Sequence, residues 1–429
     1  MTDLKCSQID YFRQIRKEIR GNKDYLIVGI DIAKEKHFAF MGDANGHTLM
    51  KKLVFENNLQ GFEKLIIHAE EKKVKFGLEK ILFGLEPTAT YHKALGEFLI
   101  HKGYPLVMVG ATATAKNREL LNGRWDKNDM KDSANIADLI SQGKCLYYDH
   151  ASEAIRNLRS LLSLKRKLKK LEHGTRTRIR NHLVAPFFPE LDSFFNNLAE
   201  ACLSITKHCF NPKTIAQMPF EAFVSLITSR SPTRLQLGKI RAIWELAPLS
   251  VGCQMTKGIE LEASLLVDRL RQTQAEIKAI DCRIREICRT LPEYEYLLSI
   301  PGFGEGISAV TLAAIGNPHR FMSSKQLLKM AGLDLSSSRS GKSSDNQPTR
   351  ISKRGNAPLR YSLYQAAMVA STKNLVFMEY FTRLIKDRSK EKGIKTRMRV
   401  KLSAKMLIIA WTLMKRRTSF DPVYLKRKR

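Results

Sequence analysis

"YLIVGIDIAKEKHFAFMGDANGHTLMKKLVFE", residues 25–56, opens on a short apolar run, "YLIVGI", rich in β-branched and aromatic residues. That composition, bounded by turn-forming residues, reads as a buried β-strand. "HFAFMGD" and "HTLMKKLVFE" follow as two further strands, separated by a Gly/Asn/Asp turn at "GDANG". Three consecutive strands joined by short turns predict an antiparallel meander. Working outward, "LQGFEKLIIHAEEKK" (59–73) carries helical spacing, "ILFGLEP" (81–87) is another buried strand, and a helix begins near Thr90. "YPLVMV" (104–109) is a strand again, with more helix after it. Strands that begin to alternate with helices predict an α/β layer whose later strands run parallel through crossover connections.

Beyond about residue 150 the strand pattern fades. "IRNLRSLLSLKRKLKKLEHGTRTRIRNHL" (155–183) places Leu161, Leu164, Leu168 and Leu171 at three- and four-residue spacing among basic residues. A second series, Leu270, Thr273, Ile277, Ile280, Ile284, Ile287 and Leu291, repeats as heptads. These two long helices, separated by a helical insert containing "APFFPELDSFF" (185–195), either pair within the chain or form a seam between copies. From Pro292 the text is helical and punctuated by glycine, and it ends on the basic tail "YLKRKR". The expected division is 25–150, an α/β domain; 151–291, a long-helix and coiled-coil region; 292–415, a mostly helical domain; and 416–429, the tail.

Composition narrows the partners. The chain of 429 residues carries a formal net charge of +31, a sequence pI near 9.9, and 43% hydrophobic residues, which excludes a disordered chain. The charge is uneven: residues 1–150 hold 23 Lys/Arg and 20 Asp/Glu, whereas the remainder hold 50 and 22. A cationic surface concentrated in the later two-thirds points to a polyanion, with nucleic acid favoured over a membrane surface. The longest apolar run, "MLIIAWTLM" (406–414), is too short to span a bilayer, and the charged start lacks the apolar core of a signal peptide. Seven cysteines with no C-x-x-C pair suit a reducing cytoplasm better than disulfides or a cysteine zinc site.

Carboxylates stand where a strand-based site would need them. Asp31 follows the first strand directly, and Glu86 ends "ILFGLEP" before Pro87 stops the ladder. A charge at the exit of a buried strand is costly unless something pairs with it. In "WDKNDMKDSANIADLI" (125–140), Asp129 and Asp132 lie three apart at a helix start and can share a face. Each of the latter two is also compatible with ordinary duty as an N-cap or first-turn acid. Together the four could converge on Mg²⁺, which prefers hard oxygen ligands and can clamp the oxygens of a phosphodiester.

"GIDIAKEKH" (29–37), "GLEPTATYHKAL" (84–95) and "KNDMKDSANIADL" (127–139) resemble the N-terminal D-E-D-D domain of the insertion-sequence-110 family of transposases. The resemblance implies a ribonuclease-H-like domain similar to Holliday-junction resolvases, with Asp31, Glu86, Asp129 and Asp132 holding Mg²⁺ or Mn²⁺. Asp126 and Asp138 are the alternatives at the third motif, one turn away. A second segment of the same family carries a Ser-Gly pair followed by "ISKRGN" and Leu-Arg. Here these are Ser340-Gly341, Ile351–Asn356 and Leu359-Arg360. The family's aligned proline before the serines is replaced by Asp334 or Leu335.

By that resemblance the fold class is an α/β ribonuclease-H-like domain, a coiled-coil region and a mostly helical C-terminal domain. The implied activity is that of a transposase or recombinase acting on donor and target DNA through a covalent phosphoserine at Ser340. It further implies a structured guide RNA and a homodimer or homotetramer working in the prokaryotic cytoplasm at the nucleoid. Ser338 competes with Ser340 because the serine run permits a two-residue slip. Lys342, Lys353, Arg354 and Arg360 are candidate nucleic-acid contacts, or a solvated basic loop.

Two glycine-rich stretches offer other readings. "SSSRSGKS" (336–343) ends like a phosphate-binding loop, but Ser336 occupies the place of the first glycine and no strand is expected to lead into it. "LLSIPGFGEGISAVTLAAIGNPHRF" (297–321) fails as a dinucleotide fingerprint for want of a preceding strand. It looks like a helix-hairpin-helix, in which Gly302 and Gly304 would let backbone N–H groups hold a phosphate, or else a plain helix–helix turn. The rival functions are a metal-dependent structure-specific nuclease using water, and a non-catalytic nucleic-acid scaffold.

Overall fold

The structure is a computed structural model that describes residues 2–122, 129–336 and 350–426. Its contacts divide the chain into two compact units. The first comprises 1–152 together with 317–323, and the second 153–316 with 324–429.

The first unit is built on a six-stranded sheet of order β3-β2-β1-β4-β5-β6. Strands β1 (Tyr25–Asp31), β2 (Lys36–Asp43) and β3 (Thr48–Glu56) form the antiparallel meander that the turn residues predict. After α2 (Leu59–Lys75), β4 (Lys80–Leu85) returns parallel to β1. After α3 (His92–His101), β5 (Leu106–Met108) lies parallel to β4. Helices α4 (Ala111–Asn122) and α5 (Asp129–Ser141) precede the short antiparallel edge strand β6 (Leu146–Tyr147).

Alternation along β1 feeds two cores. Leu26, Val28 and Ile30 pack with Phe62 and Leu65 of α2 and with Leu95 and Leu99 of α3. Tyr25 and Ile27 face the other way, toward Ile136, Ala137 and Ile140 of α5. There they also meet Ile15 and Ile19 from the end of the N-terminal segment, where α1 spans Thr2–Glu18. A strand covered on both faces is continuously apolar, which is why "YLIVGI" shows no polar alternation.

The paired glycines of the central strands set how close α5 comes. Gly29 and Gly84 are register partners. A Cβ on Gly29 would stand 2.3 Å from the Ser133 carbonyl oxygen and 2.7 Å from the Ala137 nitrogen. The first half of α5 therefore rests its backbone directly on β1.

In the second unit, α6 (Glu153–Arg178) runs on through one wide π-helical stretch, Ile179–Val184. It packs antiparallel to α7 (Lys257–Arg289), tied by Lys165–Asp281 and Arg178–Glu262 ion pairs and by Gln274 bonding Glu172. The heptad residues Leu270, Thr273, Ile277 and Ile284 are buried, so this stripe serves an intrachain hairpin. Leu164 and Leu171 of α6 stay 44% exposed. The insert between the hairpin's arms packs Phe188, Phe210 and Phe223 into one core with Ala263, Val267 and Leu270 of α7.

Then come α8 (Glu293–Leu298), a glycine turn, α9 (Glu305–Ile315) and α10 (Ser324–Ala331). Helices α11 (Ala357–Lys373), α12 (Leu375–Ile385) and α13 (Ile394–Arg416) close the unit. Between α10 and α11 lies a two-residue ladder, β7 (Leu335–Ser336) antiparallel to β8 (Arg350–Ile351). The expectation that no strand leads into the serine run is thus corrected. A strand this short has no periodicity to read, and residues 337–349 after it lie outside the described residues.

Candidate active site at the strand ends

Ile30 of β1 and Leu85 of β4 are the last register partners of the two central parallel strands. Asp31 and Glu86 are the next residue on each, so both carboxylates leave the sheet side by side at the same edge, each half-buried. Asp129 is the first residue of α5, and Asp132 lies in its first turn. Because Ser133 sits over Gly29, two residues before Asp31, that first turn is delivered to the same edge. The side chain of Asp129 and all of Asp126 lie outside the described residues.

Asp132 is 5% exposed and forms a 2.5 Å ion pair with Arg118 of α4. Its Oδ1 nonetheless accepts no aligned hydrogen bond, and the Arg118 Nε is likewise buried without one. Glu86 Oε2 accepts a 2.7 Å bond from the Thr114 hydroxyl, also on α4. Asp138 is committed elsewhere: its Oδ2 accepts from the amides of Asn117 and Gln142, 2.7 and 2.8 Å away. Asn117 also donates to Asn135, which in turn donates to the Thr114 carbonyl. Asp138 thereby helps to lock α4 onto α5.

Hard oxygen donors at two adjacent strand ends fit a divalent cation of the Mg²⁺ type, and Asp132, whose pairing with Arg118 leaves its Oδ1 without an aligned hydrogen bond, could join them. The loops around the two strand ends are held by histidines. His37, fully buried, accepts a 3.2 Å bond from the Ala33 N–H at Nδ1, closing the turn after Asp31. Burial lowers the pKa of His37, keeping it neutral for this role. Beyond Glu86, Ala89 takes a left-handed conformation, φ 47°, and burial likewise lowers the pKa of His92. Non-glycine residues in that conformation cluster at functional loops. Arg118, Thr114 and Asn135 were not singled out from sequence: as isolated polar residues in helices, only their partners give them meaning.

In the second unit, Ser338, Ser340 and Lys342 lie outside the described residues, between β7 and β8. The "ISKRGN" segment is legible as architecture. Ser352 Oγ lies 2.5 Å from Asp334 Oδ1, Lys353 is left-handed at φ 55°, and Asn356 caps α11 by accepting the Leu359 N–H. A Cβ on Gly355 would stand 2.4 Å from the Met330 carbonyl oxygen. Arg360 is half-buried and donates from Nη1 to the Ala331 carbonyl, which pins the base of the loop, whereas Lys353 and Arg354 are exposed. The glycine turn is a helix–turn–helix connection, as its lack of a preceding strand requires. Gly302, at φ 90°, packs so close to the α11 backbone that a Cβ on it would stand 2.6 Å from the Ala366 carbonyl oxygen, and Gly304 caps α9 in the open.

Comparison with known proteins assigns both units. Residues 28–188 match a family described as "Transposase", of the DEDD type of IS110, and residues 294–382 match "Transposase IS116/IS110/IS902 family". The "Insertion element IS116 uncharacterized 44.8 kDa protein" of Streptomyces clavuligerus is 25% identical over 413 residues, covering 93% of this chain and 97% of that protein. The "Pilin gene-inverting protein" of Moraxella lacunata and that of Moraxella bovis are each 27% identical over 158 residues, 36% of this chain and 48% of theirs. An α/β unit with carboxylates at its strand ends, matched in this way, belongs to an enzyme that acts on DNA. The chain is a member of the IS116/IS110/IS902 family of transposases. No described helix is long and apolar enough to cross a membrane.

Proposed function

We propose that this transposase cuts and rejoins DNA strands of a mobile element through a serine nucleophile in one unit and a carboxylate-held divalent ion in the other. The observation that carries the reading is the emergence of Asp31 and Glu86 from adjacent parallel strands beneath the first turn of α5. The strand order β3-β2-β1-β4-β5, meander first and crossovers after, supports assigning the first unit to the ribonuclease-H-like class. Asp31, Glu86, Asp129 and Asp132 would hold Mg²⁺ or Mn²⁺. An ion bound there supplies Lewis acidity to a phosphodiester and favours the ionised form of an attacking hydroxyl.

In this reading the Ser340 oxygen bonds to phosphorus, the phosphorus–oxygen bond to one sugar breaks, and the departing sugar oxygen takes up a proton. A hydroxyl from a second strand then attacks the phosphoserine and releases the serine. The exchange conserves one phosphodiester per strand and needs no nucleotide fuel. Inversion of a gene, which the Moraxella proteins are named for, requires DNA strands to be cut and rejoined. Lys353 and Arg354, exposed beside the loop stem, are suited to phosphate oxygens.

The same reading includes a guide RNA and a homodimer or homotetramer. The excess of 50 Lys/Arg over 22 Asp/Glu beyond residue 150 supports the first, and the exposed Leu164 and Leu171 stripe supports the second. Copurified nucleic acid and the mass of the DNA-bound particle test them. The chemistry is tested by trapping. Wild-type protein incubated with labelled element-end DNA is expected to yield a denaturant-resistant protein–DNA adduct. The adduct should vanish in Ser340→Ala and persist in Ser338→Ala. Strand exchange intact in Ser340→Ala would overturn the assignment in favour of water-mediated cleavage.

A further inference from the structure

A second cluster of ligating side chains lies in the first unit, away from the strand ends that carry Asp31 and Glu86. Glu97 and His101 are four apart on α3 and so share one face of the helix. His150 lies just beyond β6, and one ligand atom from each of the three lies within 4.8 Å of the others. The imidazoles of His101 and His150 meet edge to face, with centroids 6.3 Å apart. Helix α3 ends where β5 begins, and β6 runs antiparallel to β5. The cluster therefore sits at the starting edge of the parallel strands, opposite the candidate active site.

The cluster is braced from both sides. Tyr148 lies across α3 at Gly96, so close that a Cβ there would stand 2.3 Å from the tyrosine hydroxyl. Asp149 is paired with Arg320 at 3.1 Å. The segment bearing His150 is thus fixed before any ion arrives, which reduces the ordering cost of binding.

We propose that Glu97, His101 and His150 bind a zinc-type divalent cation that clips the segment after β6 to α3. Two imidazoles and one carboxylate suit Zn²⁺, with a water completing four-coordination. Donors about 2.0–2.2 Å from such an ion are reached by small rotations from the spacing seen here. Mg²⁺ prefers all-oxygen ligation and would favour the opposite edge of the sheet. The clip fastens the chain just before α6 begins at Glu153. It is independent of the proposed strand-exchange chemistry.

The test uses full-length protein stripped by a chelator and titrated with Co²⁺, then Zn²⁺. With millimolar Mg²⁺ present to occupy the carboxylate site, one Co²⁺ per chain is expected, with visible d–d absorption, displaced by Zn²⁺ and unaffected by Asp31→Asn. His101→Ala, at an exposed position, and His150→Ala should each weaken binding at least about tenfold, since even changes behind the ligands cost ~10–100-fold. Zn²⁺ should raise the thermal midpoint of wild type but not of His101→Ala. Absence of Co²⁺ binding in folded wild type, unchanged affinity in both variants, or intense near-ultraviolet thiolate absorption placing the metal on cysteine would overturn the proposal.

Discussion

Asp31→Asn is expected to reduce DNA strand exchange by at least about 100-fold while leaving nucleic-acid binding near its wild-type level. Removing a group that only orients a metal ligand already costs ~10–100-fold, and Asp31 is itself a proposed ligand. The substitution keeps the size of the side chain and removes only its charge, so β1 and its two buried faces should remain intact. Binding should survive because the excess of positive charge lies beyond residue 150. Exchange rates measured beside a filter-binding or anisotropy titration separate the two properties. Exchange within a few-fold of wild type would remove Asp31 from the chemistry. Loss of both properties together would favour a scaffold whose binding surface includes β1.

Gly29→Ala is expected to destabilise the first unit strongly. The added carbon would meet backbone atoms of α5, at 2.3 Å from the Ser133 oxygen and 2.7 Å from the Ala137 nitrogen. Those atoms cannot rotate away, so the helix must lift. Overpacking of a core costs about 1–3 kcal/mol and occasionally more, and this contact belongs at the upper end. For a unit of roughly 150 residues, each kcal/mol lowers the thermal midpoint by about 2–4 °C. Gly84→Ala is the control on the partner strand. Its new carbon would approach the Ile140 Cδ1 at 2.1 Å, the far end of a flexible side chain that can turn aside. The midpoint should fall clearly further in Gly29→Ala, and activity should fall with it because Asp132 rides on α5. Equal small shifts in the two variants would mean that α5 does not rest on β1.

How much of this was legible in the sequence depends on length and on partners. "YLIVGI" and the strands after it announced themselves because a buried strand needs several apolar residues in a row. Asp31 and Glu86 were visible because each interrupts such a run at its end. The edge strand Leu146–Tyr147 and the Leu335–Ser336 stem are too short for any period to develop. Helix α1 was hidden by its charge, although Ile9, Ile15 and Ile19 are buried. The heptads of α7 were plain, but the same stripe serves a hairpin or a dimer equally well, so only the fold could choose. Segment 317–323 joins the first unit from within a helical region, with Arg13 donating to the His319 carbonyl at 2.9 Å. No local pattern encodes that return. The Glu97–His101 spacing was on view in "GEFLIH", but its third member, His150, meets it only through the β5–β6 pairing.

The central claim is that the ends of β1 and β4 form a divalent-metal site. Anomalous diffraction from crystals of the full-length protein grown with Mn²⁺ tests it most directly. The account predicts an anomalous peak in contact with the carboxylates of Asp31 and Glu86 and lost in Asp31→Asn crystals. A map from well-ordered wild-type crystals with no peak at those two side chains would contradict it.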